Sequence, residues 1–182
     1  MPEYRRVYIP GGTYFFTLVT YERRRIFTSR EAIQLLHTSI SKVLLNHPFT
    51  INAYAVLPDH VHFLWTLPEN DSNYSVRIAQ MKRYFSKEFK TSHFLINNMP
   101  TSRVKRAELP IWQRRFWEHS IQDEKDFNQH LDYIHYNPVK HGLVEFAKDW
   151  SASSFMDYVR TDNYDLLWGQ GELKFSAKSF GE

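Results

Sequence analysis

Residues 57–60 permit only one kind of connection. Two segments rich in β-branched and aromatic residues, 49–56 (FTINAYAV) and 61–67 (VHFLWTL), are joined by little more than Pro58-Asp59. A parallel crossover needs a dozen residues or more, so these segments pair as an antiparallel hairpin. The rest of the chain is placed around that hairpin. Gly11-Gly12 marks a turn, and residues 13–20 (TYFFTLVT) have the composition of a strand buried on at least one face. Ser29 is an N-cap ahead of Ala32, Ile33, Leu36, Ile40, Val43 and Leu44. That three-and-four spacing predicts a helix to Asn46, stopped by Pro48. A second helix is expected over 74–90, with Ile78, Met81, Phe85 and Phe89 as its apolar face. Residues 91–110 show no period and are expected to form a long loop of the functional kind. Residues 111–121 (IWQRRFWEHSI) are expected as a fourth strand, and Asp123 caps a helix that Pro138 ends after Asn137.

The order β-α-β-β-α-β-α predicts an α+β fold: a ferredoxin-like antiparallel sheet of four to five strands with helices packed on one face. The other face is then free to carry a site. The organisation expected is one catalytic domain over residues 1–155 and an acidic C-terminal tail, 156–182, packed back on it.

The chain has no cysteine, which excludes disulfides, thiolate zinc centres and a cysteine nucleophile. Its N-terminal residues lack the apolar core of a signal peptide, and no apolar run approaches the roughly 20 residues that span a bilayer. A soluble cytoplasmic protein is expected. The formal charge of +3 becomes informative once localised. Residues 76–115 hold ten bases and two acids, a net +8, whereas residues 145–182 hold four bases and seven acids, a net −3. A basic middle is the footprint of a polyanion partner. The candidate contacts to nucleic acid are Arg5, Arg6, Lys82, Arg83, Arg114, Arg115 and Lys140. Trp112 and Trp117 either stack unpaired bases or pack in the core. The acidic tail is expected to fold over the basic surface and compete with the nucleic acid.

His60 and His62 fall on one face of the third strand, with Val61 and Phe63 on the other. Two imidazoles on a rigid strand make half a metal site, although a His-x-His pair alone is a weak signal. On the helix over 123–137, Phe127, Leu131 and Ile134 form the core stripe. Tyr133 and Asn137 lie one turn apart on the neighbouring stripe. An amide oxygen from Asn137 can supply a third ligand, and three protein ligands leave positions open for a substrate oxygen.

Leu57-Pro58-Asp59-His60-Val61-His62 resembles the His-hydrophobic-His motif of single-tyrosine transposases and relaxases. Phe116-Trp117-Glu118-His119 and the run Asp132-Tyr133-Ile134-His135-Tyr136-Asn137-Pro138-Val139-Lys140-His141-Gly142 resemble the REP-associated tyrosine transposases. Glu3-Tyr4-Arg5-Arg6 with Gly11-Gly12-Thr13 is similar too, so the resemblance runs over residues 3–155. It implies that His60, His62 and Asn137 hold a divalent metal, Mg²⁺ or Mn²⁺, and that Tyr133 is the nucleophile, with Tyr136 its main competitor. It implies a single-stranded DNA substrate, hairpins of repetitive extragenic palindromes (REPs), and a monomer. The chemistry is transesterification through a 5′-phosphotyrosine, with His130 or a polarised water to assist a phenol of ordinary pKa about 10. Two other readings stay open: a single-strand-binding module without catalysis, and a hydrolytic metallonuclease.

Overall fold

The computed structural model describes residues 6–93, 109–170, 173 and 180. Four strands form one antiparallel sheet: β1 (Thr13–Val19), β2 (Thr50–Val56), β3 (His60–Thr66) and β4 (Trp117–Ser120), in the spatial order β2-β3-β1-β4. The hairpin forms as the short link demands, with Val56 opposite Val61. β3 is interior, pairing with β1 on its other side so that Thr17 faces His62 and Val19 faces His60.

Alternation along the strands sorts the sheet into two faces. Tyr14, Phe16, Leu18, Val61, Phe63 and Trp65 enter one core, together with α1 (Arg30–Asn46) and α2 (Tyr74–His93). Ser29 caps α1 by accepting from Ala32 N at 3.1 Å, as its sequence predicts. Phe15, Ala53, Ala55 and Leu64 enter a second core on the opposite face, against α3 (Glu124–Lys140). Helices on one face therefore describe α1 and α2, while α3 covers the other face. The reason lies in β2: Ala53 and Ala55 point toward α3, and their small side chains let a helix lie close to the sheet.

Three local expectations change. The fourth strand is shorter than residues 111–121: only Trp117–Ser120 forms it, while Trp112 keeps a single antiparallel bridge to Thr20 and packs its side chain between Phe27 and Phe85. Pro138 does not end its helix; α3 continues to Lys140. Proline removes one N–H but keeps its carbonyl, which accepts from Leu143 N at 2.9 Å, while Gly142 N reaches Val139 O. Gly142, at φ 64°, makes the left-handed turn that closes this double bond and stops the helix. Arg77, counted in the basic middle, is buried and structural. Its guanidinium donates to Asp71 Oδ2, Pro48 O and Asn73 O at 2.7–3.0 Å, the pairing a buried charge requires. Arg5 and most of the loop expected over 91–110 lie outside the described residues.

The edge of β2 is covered by the chain after α3. Ala152 O accepts from Val56 N, Trp150 Nε1 donates to Val56 O, and Tyr158 Oη donates to Asn52 O. Covering the edge removes a template for strand addition. Ser154, just before α4 (Phe155–Arg160), ties this segment to α3. Its Oγ donates to Tyr54 O and so accepts from His135 Nε2 at 2.9 Å. The other ring nitrogen of His135, Nδ1, is buried with no hydrogen-bond partner among the described residues, so a proton added there would have nothing to accept it.

Burial accordingly pushes the His135 pKa down to about 3, and burial lowers that of His130 as well. Both imidazoles are neutral in the fold. Below the ordinary histidine value the unfolded chain takes up protons that the folded chain refuses, so stability is lost as the pH falls from 6.5 toward 3. Urea denaturation at pH 5.0 should give a stability about 2 kcal/mol lower than at pH 7.5 from His135 alone. His135→Gln should flatten that dependence; an unaltered slope would remove His135 as its source.

Candidate functional site

The site lies on the sheet face that carries α3. His60 and His62 project from β3 into it, and both are almost fully buried. Their ring centres are 4.9 Å apart. Each ring is fixed through Nδ1. His60 Nδ1 donates to Asp59 Oδ1 at 2.6 Å, and Asp59 also meets Arg23 at 3.2 Å. Burial alone would raise the Asp59 pKa; the hydrogen bonds and charges of His60 and Arg23 outweigh it and hold the carboxylate at about 2. Around His62 the proton positions follow from a single hydroxyl. Thr17 Oγ1 donates to Phe180 O at 2.8 Å, so at 3.0 Å it accepts from His62 Nδ1. Both imidazoles thus carry their proton on Nδ1 and present Nε2 as the electron-pair donor, the arrangement that orients metal-binding histidines.

α3 lays one stripe of residues across this pair. Tyr133 stands edge-on to His62, ring centres 5.4 Å apart. His141, two turns further on, stands edge-on to His60 at 5.3 Å. Asn137 lies between them in sequence and on the same stripe, and its side-chain oxygen is fully buried. The structure therefore brings His60, His62 and Tyr133 together, with Asn137 buried one turn beyond Tyr133 on the same helix. Tyr136 points elsewhere, to Gly169 and to the backbone N–H of Leu173, which donates to its hydroxyl at 3.3 Å.

Tyr133 is buried and covered. The Phe180 ring stacks on it at 3.7 Å and 7°, and the backbone carbonyl of Phe180 accepts from the Thr17 hydroxyl. Lys140 Nζ donates to the Tyr133 hydroxyl at 2.9 Å. The other candidate nucleic-acid contacts are dispersed. Arg83, Arg114 and Arg115 are exposed. Lys82 donates to Gln113 O, and Arg6 lies over Phe116 while pairing with buried Glu118 at 3.4 Å. Trp112 is in the core, and Trp117 packs partly buried against the second core.

A second group, His119, Asp126 and His130, has donor atoms within 4.8 Å of one another and so could also hold a cation. It is already an internally bonded set. His119 Nε2 is 2.8 Å and His130 Nδ1 3.0 Å from the Asp126 carboxylate, and the two rings stack at 4.5 Å. Phe15 and Phe180 both contact His130 and Tyr133.

Four contributors escape the sequence pattern: Asp59, Thr17, Phe180 and the role of Lys140. Asp59 had a signal, standing directly before His60 at a tight turn. Phe180 had none, since its partner is 47 residues away.

The family model described as "Transposase IS200 like" matches residues 9–137. A Haemophilus influenzae relative is 44% identical over 169 residues, covering 93% of this chain and 94% of its own. The REP-associated tyrosine transposase of Escherichia coli K12 is 42% identical over 177 residues, covering 97% and 96%. A solved structure of a REP-associated tyrosine transposase bound to a REP hairpin superposes with a TM-score of 0.79 at 40% identity, over 100% of this chain and 98% of that one. The chain belongs to the IS200-like tyrosine transposases, in their REP-associated branch.

The stacked ring makes one outcome measurable without DNA. Phe180→Ala should open Tyr133 to solvent and raise its nitration by tetranitromethane several-fold, read by peptide mass spectrometry. Equal nitration in both proteins would mean that Phe180 does not shield it.

Proposed function

We propose that this chain is a divalent-metal-dependent single-stranded DNA endonuclease and strand transferase that acts on REP hairpins through a 5′-phosphotyrosine. The observation that carries the reading is Tyr133 standing edge-on to His62, one turn before Asn137, in a chain of this family. The hairpin as substrate is supported by the solved relative, which is bound to a REP hairpin. Tyrosine and histidines come from one chain, which supports a monomer acting in its own site. Among the described residues no helix is long and apolar enough to cross a membrane.

The donor set fits a metal. His60 and His62 offer Nε2 and Asn137 offers an amide oxygen, a mixed shell that suits Mn²⁺ as well as or better than the all-oxygen preference of Mg²⁺. Such an ion, when bound, polarises the scissile phosphate and offsets its developing charge. The chain does the rest. Asp59 and Thr17 fix the imidazole tautomers, α3 presents the phenol oxygen, and the exposed Arg83, Arg114 and Arg115 supply charge for phosphates flanking the cut. The oxygen of Tyr133 attacks phosphorus, the Oη–P bond forms and the P–O3′ bond breaks, leaving a free 3′-hydroxyl. Phosphodiester is exchanged for phosphodiester, so rejoining needs no external energy source. Phe180 occupies the face of Tyr133 and must leave for DNA to enter, which gives the tail its competitive role at one residue. The described part before it, including Tyr158 and Tyr164, instead packs on the domain.

Incubation with a single-stranded REP hairpin and Mn²⁺, followed by a denaturing gel, should yield a covalent protein–DNA adduct that Tyr133→Phe abolishes. Binding without adduct would identify a non-catalytic module, and cleavage that survives Tyr133→Phe a hydrolytic nuclease. Asp59→Asn should weaken Mn²⁺ binding about 10–100-fold by calorimetry, because it unfixes the His60 ring. Unchanged affinity would remove His60 from the ligand set.

A further inference from the structure

The Tyr133 hydroxyl has a cation on it. Lys140 Nζ donates to Tyr133 Oη at 2.9 Å and lies 4.8 Å from the centre of the same ring. The residues are seven apart, two helical turns along one stripe. Helical side chains lean toward the N-terminus, so a lysine in the last turn reaches back toward the tyrosine. The contact exists because α3 runs through Pro138 and is stopped only at Gly142. A helix ending at Asn137 would have left Lys140 in a turn, aimed by nothing.

Resting on the reading of Tyr133 as nucleophile, we propose that Lys140 is a further catalytic residue. Its ammonium holds the phenol oxygen in place for attack and stabilises the negative charge on that oxygen when it is the leaving group. In cleavage, Oη–P forms and P–O3′ breaks, the electron pair leaves on O3′, and the phenolic proton is exchanged with water. In rejoining, the 3′-hydroxyl gives up its proton to water as O3′–P forms, P–Oη breaks, and the electron pair returns to Oη, where Lys140 meets it. Charge-assisted N–H donors placed on an oxyanion give rate effects of about 10²–10³ in enclosed sites. Lys140 is exposed, so an effect of roughly 10–100-fold is the expectation here.

The competing role is that of an ordinary phosphate contact, for which the sequence first nominates Lys140. A phosphate contact weakens binding and lowers the salt dependence of affinity by about one ion. The two roles separate in single-turnover kinetics of the full chain with Mn²⁺ and a labelled REP hairpin. Lys140→Met should slow adduct formation and rejoining about 10–100-fold while the hairpin Kd changes less than about threefold, and Lys140→Arg should recover most of the rate. Replacing Tyr133 with 3,5-difluorotyrosine, a better leaving group, should narrow the rejoining deficit of Lys140→Met. Rates unaltered by Lys140→Met would overturn the proposal. So would a loss of rate matched by loss of affinity, or a deficit indifferent to the fluorinated side chain. A wild-type chain that forms no Tyr133-dependent adduct would overturn the nucleophile reading and Lys140's role with it. A Tyr133 adduct that forms and reverses normally without Lys140 would overturn Lys140's role alone.

Discussion

The pairing register of β3 against β1 is the constraint on which the site depends. Thr17 opposite His62 puts both histidines on the face shared with α3 and puts Val61, Phe63 and Trp65 into the core beneath α1 and α2. Because the side-chain period of a strand is two, a slip of one residue would exchange those sets. Two imidazoles would then be buried among aromatics, and a tryptophan would sit where a phosphate has to approach. The slip would forfeit the burial of several large side chains, at about 1.5–3 kcal/mol each. Register is therefore enforced by the apolar face, and the polar face inherits its precision.

A second constraint acts from the helix side. α3 can approach the sheet because β2 offers Ala53 and Ala55 there. Its closeness lets side chains two turns apart, Tyr133 and His141, meet two histidines two residues apart on a strand. Asp59 and Thr17 then hold the imidazoles from behind, one from the hairpin turn and one from the neighbouring strand. Three separate chain segments thus meet two rings, and none of the three is a long loop.

The parts legible in the sequence were those set by local rules. The hairpin follows from its short link, α1 from its cap and period, and the shared face of His60 and His62 from alternation. The start of α3 follows from Asp123, whose carboxylate accepts from Asp126 N at 2.8 Å. What local rules missed was decided by distant partners or by competition between two signals. Pro138 signals a stop, but Gly142 supplies the bonded turn that ends the helix. The run 111–121 has strand composition, yet it pairs as a strand only over Trp117–Ser120, with one bridge from Trp112 to Thr20 near its start. Arg77 counts toward the +8 of the basic middle until Asp71 and the Pro48 carbonyl are seen around it. Phe180 on Tyr133 is a contact between segments 47 residues apart, with no periodicity to announce it.

On the proposed reading of Tyr133 as nucleophile, Phe180 also bears on how a buried side chain can be used. A stacked aromatic pair contributes about 0.5–1.5 kcal/mol beyond its area, and one carbonyl hydrogen bond adds about 1 kcal/mol. With part of a phenylalanine's burial added, the ring is held by a few kcal/mol. A closed form favoured by about 3 kcal/mol leaves the open form below about 1%. Hairpin binding at micromolar affinity supplies about 8 kcal/mol, so DNA that engages the site can displace the ring. A strand that binds with less than about 3 kcal/mol leaves the closed form dominant. A contact of this size acts as a threshold on substrate affinity, and it leaves the Tyr133 oxygen, with Lys140 already on it, in place beneath.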